Sequence, residues 1–481
     1  MTMSIAPTTS ITANRSTSCS PDVAKSPAQG KPASEPRTRH GMTEHGNRRK
    51  FLATGSGAAS LLATAATWNH VQGATVDTSG RLRLGLIGCG GIMGHHIQGL
   101  VKKQSQAVEI AWLCDIDPAQ LDRSAKAIPQ VPPPRQTSRF EEVLADDTVH
   151  ACVIATPHHW HAPIALAAMA AGKDVYIEKP MSHVFHEGDL IIAAARKSGR
   201  VVQQGSQMRS SPVTAQAERL LKDGVIGEVK VARAWTAELR DEVRPLPDGR
   251  PPDGADYDRW LGPAPSRPFN PHRWHATWRM FRDYGNGELG DDGIHDLDMA
   301  AWGLGVQTLP KFITARGGRM MLPGHASEYP DNMNVTFEYP DGRLLIYENY
   351  PFTGYGLHGF DNGNVFYGTK GYMVFSRRGA FSVFLGNKGT PGPTELKETR
   401  GLKGYDEHMT NFLQAIRDRS VPRANAETAH RSCALVHLGE AAYRTRGRLE
   451  FDAAAGRFVD APEADALLEK PYRAPYSLPA T

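Results

Sequence analysis

A chain of 481 residues is longer than one ordinary hydrophobic core organises, so two domains with appendages are expected. Its 40% hydrophobic and 22% charged content excludes a disordered or fibrous protein and fits a globular one. The net charge of +4 is local: residues 1–50 carry eight Lys/Arg against three Asp/Glu, so the rest of the chain is near neutral and no basic excess argues for a nucleic-acid partner.

Residues 1–46 are rich in Ser, Thr, Pro and Ala without periodicity, which predicts disorder. Asn47-Arg48-Arg49-Lys50-Phe51-Leu52 then precedes a weakly apolar run, Ala53 to Trp68, and resembles a twin-arginine export signal. That run is too short and too rich in glycine for a membrane span. Residues 1–74 are therefore assigned to a leader, and the mature protein is expected in the periplasm or otherwise exported, with no membrane span. The cysteines (Cys19, Cys89, Cys114, Cys152, Cys433) lack metal-ligand spacing. Cys89, Cys114 and Cys152 fall in or beside apolar strand patterns and read as small buried thiols.

Leu82, Leu84, Leu86 and Ile87 predict a buried strand running into Gly88-Cys89-Gly90-Gly91-Ile92-Met93-Gly94. A helix follows, with Ile97, Leu100 and Val101 at helical spacing; a second strand, Val108 to Cys114, ends at Asp115. This is a βαβ unit with a glycine turn and a terminal acid, the arrangement that binds a dinucleotide. Gly88 permits the tight turn, and Gly90 lets backbone approach the pyrophosphate. The helix N-terminus presents unpaired N–H groups to the phosphates. Asp115, 21 residues beyond Gly94, suits the adenosine ribose hydroxyls and repels a 2′-phosphate, favouring NAD over NADP. The strict pattern needs glycine at position 93, where Met93 stands. Alternation then continues: a helix from Phe140 to Leu144, a strand from Ala151 to Ala155, and a helix from Ala162 to Ala171 closed by Gly172. A strand from Asp174 to Glu178, a helix from His186 to Ser198 closed by Gly199 and a strand from Val201 to Gln204 complete it. Such units predict a Rossmann doubly wound parallel sheet over residues 81–205.

Thr156-Pro157-His158-His159-Trp160-His161 followed by Val175-Tyr176-Ile177-Glu178-Lys179-Pro180 resembles the Gfo/Idh/MocA (glucose–fructose oxidoreductase / inositol dehydrogenase) oxidoreductases. Trp278-Arg279 and Gly287-Glu288-Leu289-Gly290-Asp291-Asp292-Gly293-Ile294-His295 resemble that family's aromatic and Asp-x-x-x-His segments. The resemblance implies a catalytic lysine, aspartate and histidine at Lys179, Asp291 and His295, with Trp278 and Arg279 beside them at the substrate; the neighbouring Asp292, Asp296 and Asp298 leave open which acid contributes. It implies nucleotide contacts from Gly88, Gly90, Gly91, Ile92, Met93, Asp115, Thr156, Pro157, His161, Glu178 and Lys179. Asp291 and His295, four apart, are expected on one face of one helix. No metal is expected, because hydride transfer needs none.

Beyond Ser206 the pattern changes. Val229 and Val231, Lys311 to Ala315, Met333 to Tyr339, Leu344 to Tyr350 and Val365 to Phe375 read as strands, with Asp341-Gly342 a hairpin turn. A largely antiparallel sheet flanked by helices is expected over 206–460. Pro245 to Pro271 reads as an ordered excursion near the cleft or a subunit contact, or equally as a mobile loop, and 461–481 as a tail wrapping the surface. Helices are read from Glu407 to Asp418 and from Glu427. The expected activity is hydride transfer between NAD and a secondary alcohol of a sugar or polyol by a homo-oligomer; the alternative is an NAD-dependent glycosidase acting by transient oxidation and elimination.

Overall fold

The computed structural model describes residues 80–275, 277–350, 352–396 and 404–478; the twin-arginine segment and Cys19 lie outside the described residues. The first domain is a six-stranded parallel sheet in the order β3-β2-β1-β4-β5-β6. Its strands are β1 (Leu82–Ile87), β2 (Val108–Cys114), β3 (Arg135–Thr137), β4 (Ala151–Ile154), β5 (Asp174–Ile177) and β6 (Val202–Gln204). Between them run α1 (Gly91–Lys103), α2 (Pro118–Lys126), α3 (Phe140–Ala145), α4 (His158–Ala170) and α5 (Phe185–Ser198). Helices cover both faces, so β4 and β5 are buried at every residue and read as unbroken apolar runs. Gly199 closes α5 in the left-handed conformation that a side chain resists.

One helix departs from expectation: α4 starts at His158, not Ala162. Pro163 sits inside it and hid the first turn, and residues 158–161 are helical and buried. The Thr156–His161 segment is thus a helix start facing the cleft. The short α2 and β3 carried no apolar periodicity to announce them.

After α6 (Pro212–Lys222), a ten-stranded sheet follows the order β14-β13-β12-β11-β7-β10-β9-β8-β15-β16. Its strands are β7 (Val229–Thr236), β8 (Phe312–Gly318), β9 (Asn332–Glu338), β10 (Leu344–Asn349), β11 (Asn362–Gly368), β12 (Gly371–Ser376), β13 (Ala380–Leu385), β14 (Thr390–Leu396), β15 (Arg448–Asp452) and β16 (Arg457–Phe458). Neighbours are antiparallel except β7 and β10, which are parallel because helices separate them in the chain. Gly342, at φ 83°, makes the β9–β10 turn. The single strand read over Val365 to Phe375 is instead the β11–β12 hairpin, turning between Gly368 and Gly371. Apolar alternation runs through the turn unchanged, which is why it looked continuous. A β-carbon on Gly368 would meet the Ile226 carbonyl at 2.1 Å, and one on Gly371 the Phe384 carbonyl at 2.2 Å.

Helices α7 (Tyr257–Leu261), α8 (Gly287–Asp291) and α9 (Gly293–Leu304) fall between β7 and β8; α10 (Tyr405–Asp418), α11 (Ala426–Thr445) and α12 (Pro462–Asp465) come late. One core joins the two domains, with Ile177 of β5, Leu297 of α9, Phe366 of β11 and Leu438 of α11 all buried in it. Each such side chain contributes roughly 1.5–3 kcal/mol. The Pro245–Pro271 excursion is ordered: Trp260 and Phe269 join Trp274, Trp278 and Tyr284 in a separate aromatic cluster. The tail docks back on the first domain, where Lys470 meets buried Glu187 at 2.8 Å and the Tyr472 hydroxyl donates to it at 2.7 Å. Cys89, Cys114, Cys152 and Cys433 are free and buried. Among the described residues, no helix is long and apolar enough to cross a membrane.

Candidate active site

A cleft of about 470 Å³ opens at the carboxyl ends of β1, β4 and β5, where the strand order reverses and open α/β sheets bind ligands. Its floor is the glycine loop. Gly88, at φ 84°, donates its N–H to the Cys114 carbonyl at 2.8 Å. A β-carbon there would sit 2.7 Å from the backbone of Ala155 and Thr156, so only glycine fits. Gly90 and Gly91 line the cleft, and β-carbons on them would enter open space. The bare backbone leads into α1, which has no acid in its first turn and no side-chain cap. Exposed N–H groups and the positive helix end fit a pyrophosphate.

Asp115 also lines the cleft, but its carboxylate has a second task. Oδ2 accepts from the Cys89 N–H at 2.6 Å and Oδ1 from the Asp117 N–H at 2.9 Å, pinning the glycine loop to β2. Each oxygen keeps a further acceptor site for a ribose hydroxyl. Burial raises its pKa, and the two backbone hydrogen bonds oppose that. Ile92, Thr156 and Pro157 line the same cleft. The Met93 side chain does not: it is wholly buried in the core with the β1 leucines, which leaves only its main-chain N–H, in the first turn of α1, to face a phosphate. The side chain takes over the helix–sheet packing that a third glycine would serve.

Two candidates act as struts. The His161 ring spans the carbonyls of Thr156 (2.8 Å) and Pro180 (2.7 Å), tying the loops after β4 and β5 together. Glu178 accepts from His96 of α1 at 2.8 Å and from Gln207 at 3.0 Å. Burial pushes the Glu178 pKa up, but the His96 contact and nearby positive charge outweigh it and hold the group ionised.

Lys179, next in sequence, reaches across the cleft. Its Nζ donates to the Asp291 main-chain oxygen at 2.5 Å and to Asp291 Oδ1 at 2.8 Å. Arg279 donates to the same Oδ1 at 2.9 Å, and its guanidinium lies 4.3 Å over the Trp278 ring. Burial alone would raise the Asp291 pKa; Lys179 and Arg279 outweigh it and hold the carboxyl well below the usual range. Lys179, Trp278, Arg279 and His295 line the cleft, whereas Asp291 stands behind Lys179. His295 is pushed down to about 3 by burial and by the Lys179 charge, so its imidazole is neutral near pH 7. Asp291 and His295 do not share one helix: α8 ends at Asp291 and α9 begins at Gly293. The break at Asp292 turns that carboxylate toward two arginines. Arg377 approaches it at 3.1 Å, and Arg240 binds both it and Glu288.

The sequence reading missed His158, Arg377 and Tyr405 on the cleft wall, and Asp292, one of the acids it left open beside Asp291, lines the cleft as well. His158 was legible once α4 was begun correctly; it holds Asn286 at 3.0 Å and meets the Trp278 ring edge-on at 4.7 Å. Arg377 follows β12, and no local pattern marks it. Around it lie carboxyls pushed upward: Glu238 to about 7, by its hydrogen bond with Asp292 and by burial, and Asp296 to about 7 by burial.

A glycine loop on a six-stranded parallel sheet, facing a second domain across a cleft with lysine and histidine, defines an NAD-binding oxidoreductase. The chain belongs to the Gfo/Idh/MocA oxidoreductase family: it matches the family's NAD-binding Rossmann fold over residues 82–206 and its C-terminal alpha/beta domain over 232–351 and 389–478. It is 27% identical over 221 residues to a glycosyl hydrolase family 109 protein of Shewanella pealeana, covering 42% of this chain and 48% of that one. It is 28% identical over 170 residues to levoglucosan dehydrogenase of Pseudarthrobacter phenanthrenivorans, covering 35% and 36%. The chain thus spans about half the length of the first relative and about a third of the second. In fold it resembles the Bordetella pertussis WlbA dehydrogenase, solved with NADH and UDP-GlcNAcA, at TM-score 0.58, 18% identity and 77% and 99% coverage.

Proposed function

We propose that the protein transfers hydride between NAD and a secondary alcohol of a sugar or polyol. One observation carries the reading: Lys179, braced by Asp291, and neutral His295 line the same cleft as the bare glycine loop. Bound NAD supplies the hydride acceptor at the reacting carbon. The chain's task is the hydroxyl proton. Neutral His295 accepts it as the C–H bond gives up hydride and the carbonyl forms, while Lys179 donates a hydrogen bond to the same oxygen. Asp291 orients Lys179, and Trp278 offers an aromatic wall to a sugar face. The test is a panel of sugars and cyclitols with NAD: stoichiometric ketone and NADH support the reading.

A second reading rests on the glycosyl hydrolase family 109 resemblance: transient oxidation, elimination of an aglycone and net hydrolysis. Free sugar released with the nucleotide left oxidised would select it. We further propose that Arg48 and Arg49 direct twin-arginine export and that the mature protein works as a homo-oligomer. Export that survives changing both arginines to Lys removes the first of these, and a monomer in sedimentation removes the second.

A further inference from the structure

A second cavity, of about 490 Å³, shares no lining residue with the cleft. It lies among the ends of α6 and α9, the start of β7 and the first turns of α11. Charged side chains line it, and nearly all are matched. Arg209 pairs with Asp298 at 2.7 Å, Arg343 with Asp341 at 2.6 Å, Lys222 with Glu218 at 2.8 Å, and Glu228 with Lys230 at 2.5 Å. Arg431 is the exception. Among the described residues, the Thr428 hydroxyl at 3.2 Å is its hydrogen-bond acceptor, and no carboxylate lies within 4.0 Å. The guanidinium is half-buried, and burial together with the Arg209 charge pushes its pKa down, against the opposing pull of the Asp298 and Glu427 carboxylates, neither of which it touches. No carboxylate takes up its fork directly, and a guanidinium fork fits carboxylate or phosphate oxygens. Leu221, Trp302 and Val306 supply an apolar wall beside it. The volume falls within the range of small-molecule sites.

We propose that this cavity binds a small organic anion, its carboxylate or phosphate on Arg431 and its apolar body against Trp302. The site is separate from the hydride-transfer reading and stands or falls without it.

The test is calorimetric titration of the full chain, loaded with NAD, with benzoate, phenyl phosphate and inorganic phosphate. Benzoate or phenyl phosphate should bind once per chain, and inorganic phosphate roughly tenfold more weakly, because it lacks the apolar body. Preference between the two aromatic anions assigns the ligand's head group. Arg431→Gln should cost the preferred anion roughly tenfold or more, with Arg431→Lys between it and the parent. Lys179→Ala should leave the titration unchanged. If Arg431→Gln does not fold, Val306→Trp, which fills the cavity, should abolish binding instead. No binding of any of the three anions, equal binding after Arg431→Gln or Val306→Trp, or loss of binding in Lys179→Ala overturns the proposal.

Discussion

The two walls of the cleft are built on opposite principles. The nucleotide wall is mostly main chain: Gly88, Gly90 and Gly91 work by lacking side chains, and Asp115 is partly engaged in holding their loop. The substrate wall is mostly charge: Lys179, the 279–292 stretch with Arg279, Asp291 and Asp292, and Arg377 are about a hundred residues apart in sequence and hold one another by ion pairs. A backbone site depends on local conformation and tolerates change at neighbouring side chains. A charged site depends on every member, because removing one leaves another buried and unpaired.

If that contrast holds, the largest effect should fall on chemistry without touching the nucleotide. Lys179→Ala and His295→Ala should each lower turnover roughly 10²–10⁴-fold while NAD affinity, followed by titration, stays near that of the parent. The double variant should lose much less than the product of the single losses, since both act on one proton. Near-normal turnover in Lys179→Ala on an identified substrate would falsify the assignment.

The reverse case is Gly88→Ala. With φ at 84° and backbone 2.7 Å away, the methyl group should cost roughly 2–4 kcal/mol in denaturant melts and weaken NAD binding. A variant with parental stability would show that the loop yields more easily than its packing suggests.

Asp296 sharpens the substrate side through pH. Burial raises its pKa from 3.8 to about 7, so the folded state binds the proton more tightly than the unfolded chain. Its contribution is fully present below pH 3.8 and is lost as pH rises through 7. The total is on the order of 4 kcal/mol. Asp296→Asn should flatten the decline in melting temperature between pH 4 and 8, and an unchanged slope would assign the decline to other groups.

The smallest effect is expected at the ribose. Asp115→Ala should weaken NAD roughly tenfold and narrow the preference against NADP, because it removes two ribose acceptor sites along with the brace on Cys89. A parent enzyme that prefers NADP in direct titration would refute the ribose assignment.

The sequence by itself determined the βαβ order, the glycine turn ending in Asp115, and the position of Lys179 at the end of β5. Each is a short-range consequence of strand and helix periodicity or of one residue's backbone freedom. It also carried the Asp291–His295 spacing, but not the break between α8 and α9, because helical periodicity persists across Asp292. The β11–β12 turn was hidden for the same reason. Tertiary structure alone decided the rest. Arg377 reaches Asp292 because β12 ends beside the start of α9, Met93 is core because the fold gathers it into one apolar cluster with Leu82, Leu84, Leu86 and Phe412, and the Glu187–Lys470 pair forms because the tail folds back. Burial sets the charge state of His295 and Asp296, and burial is a property of what the rest of the chain places around a residue; no window of neighbouring sequence contains it.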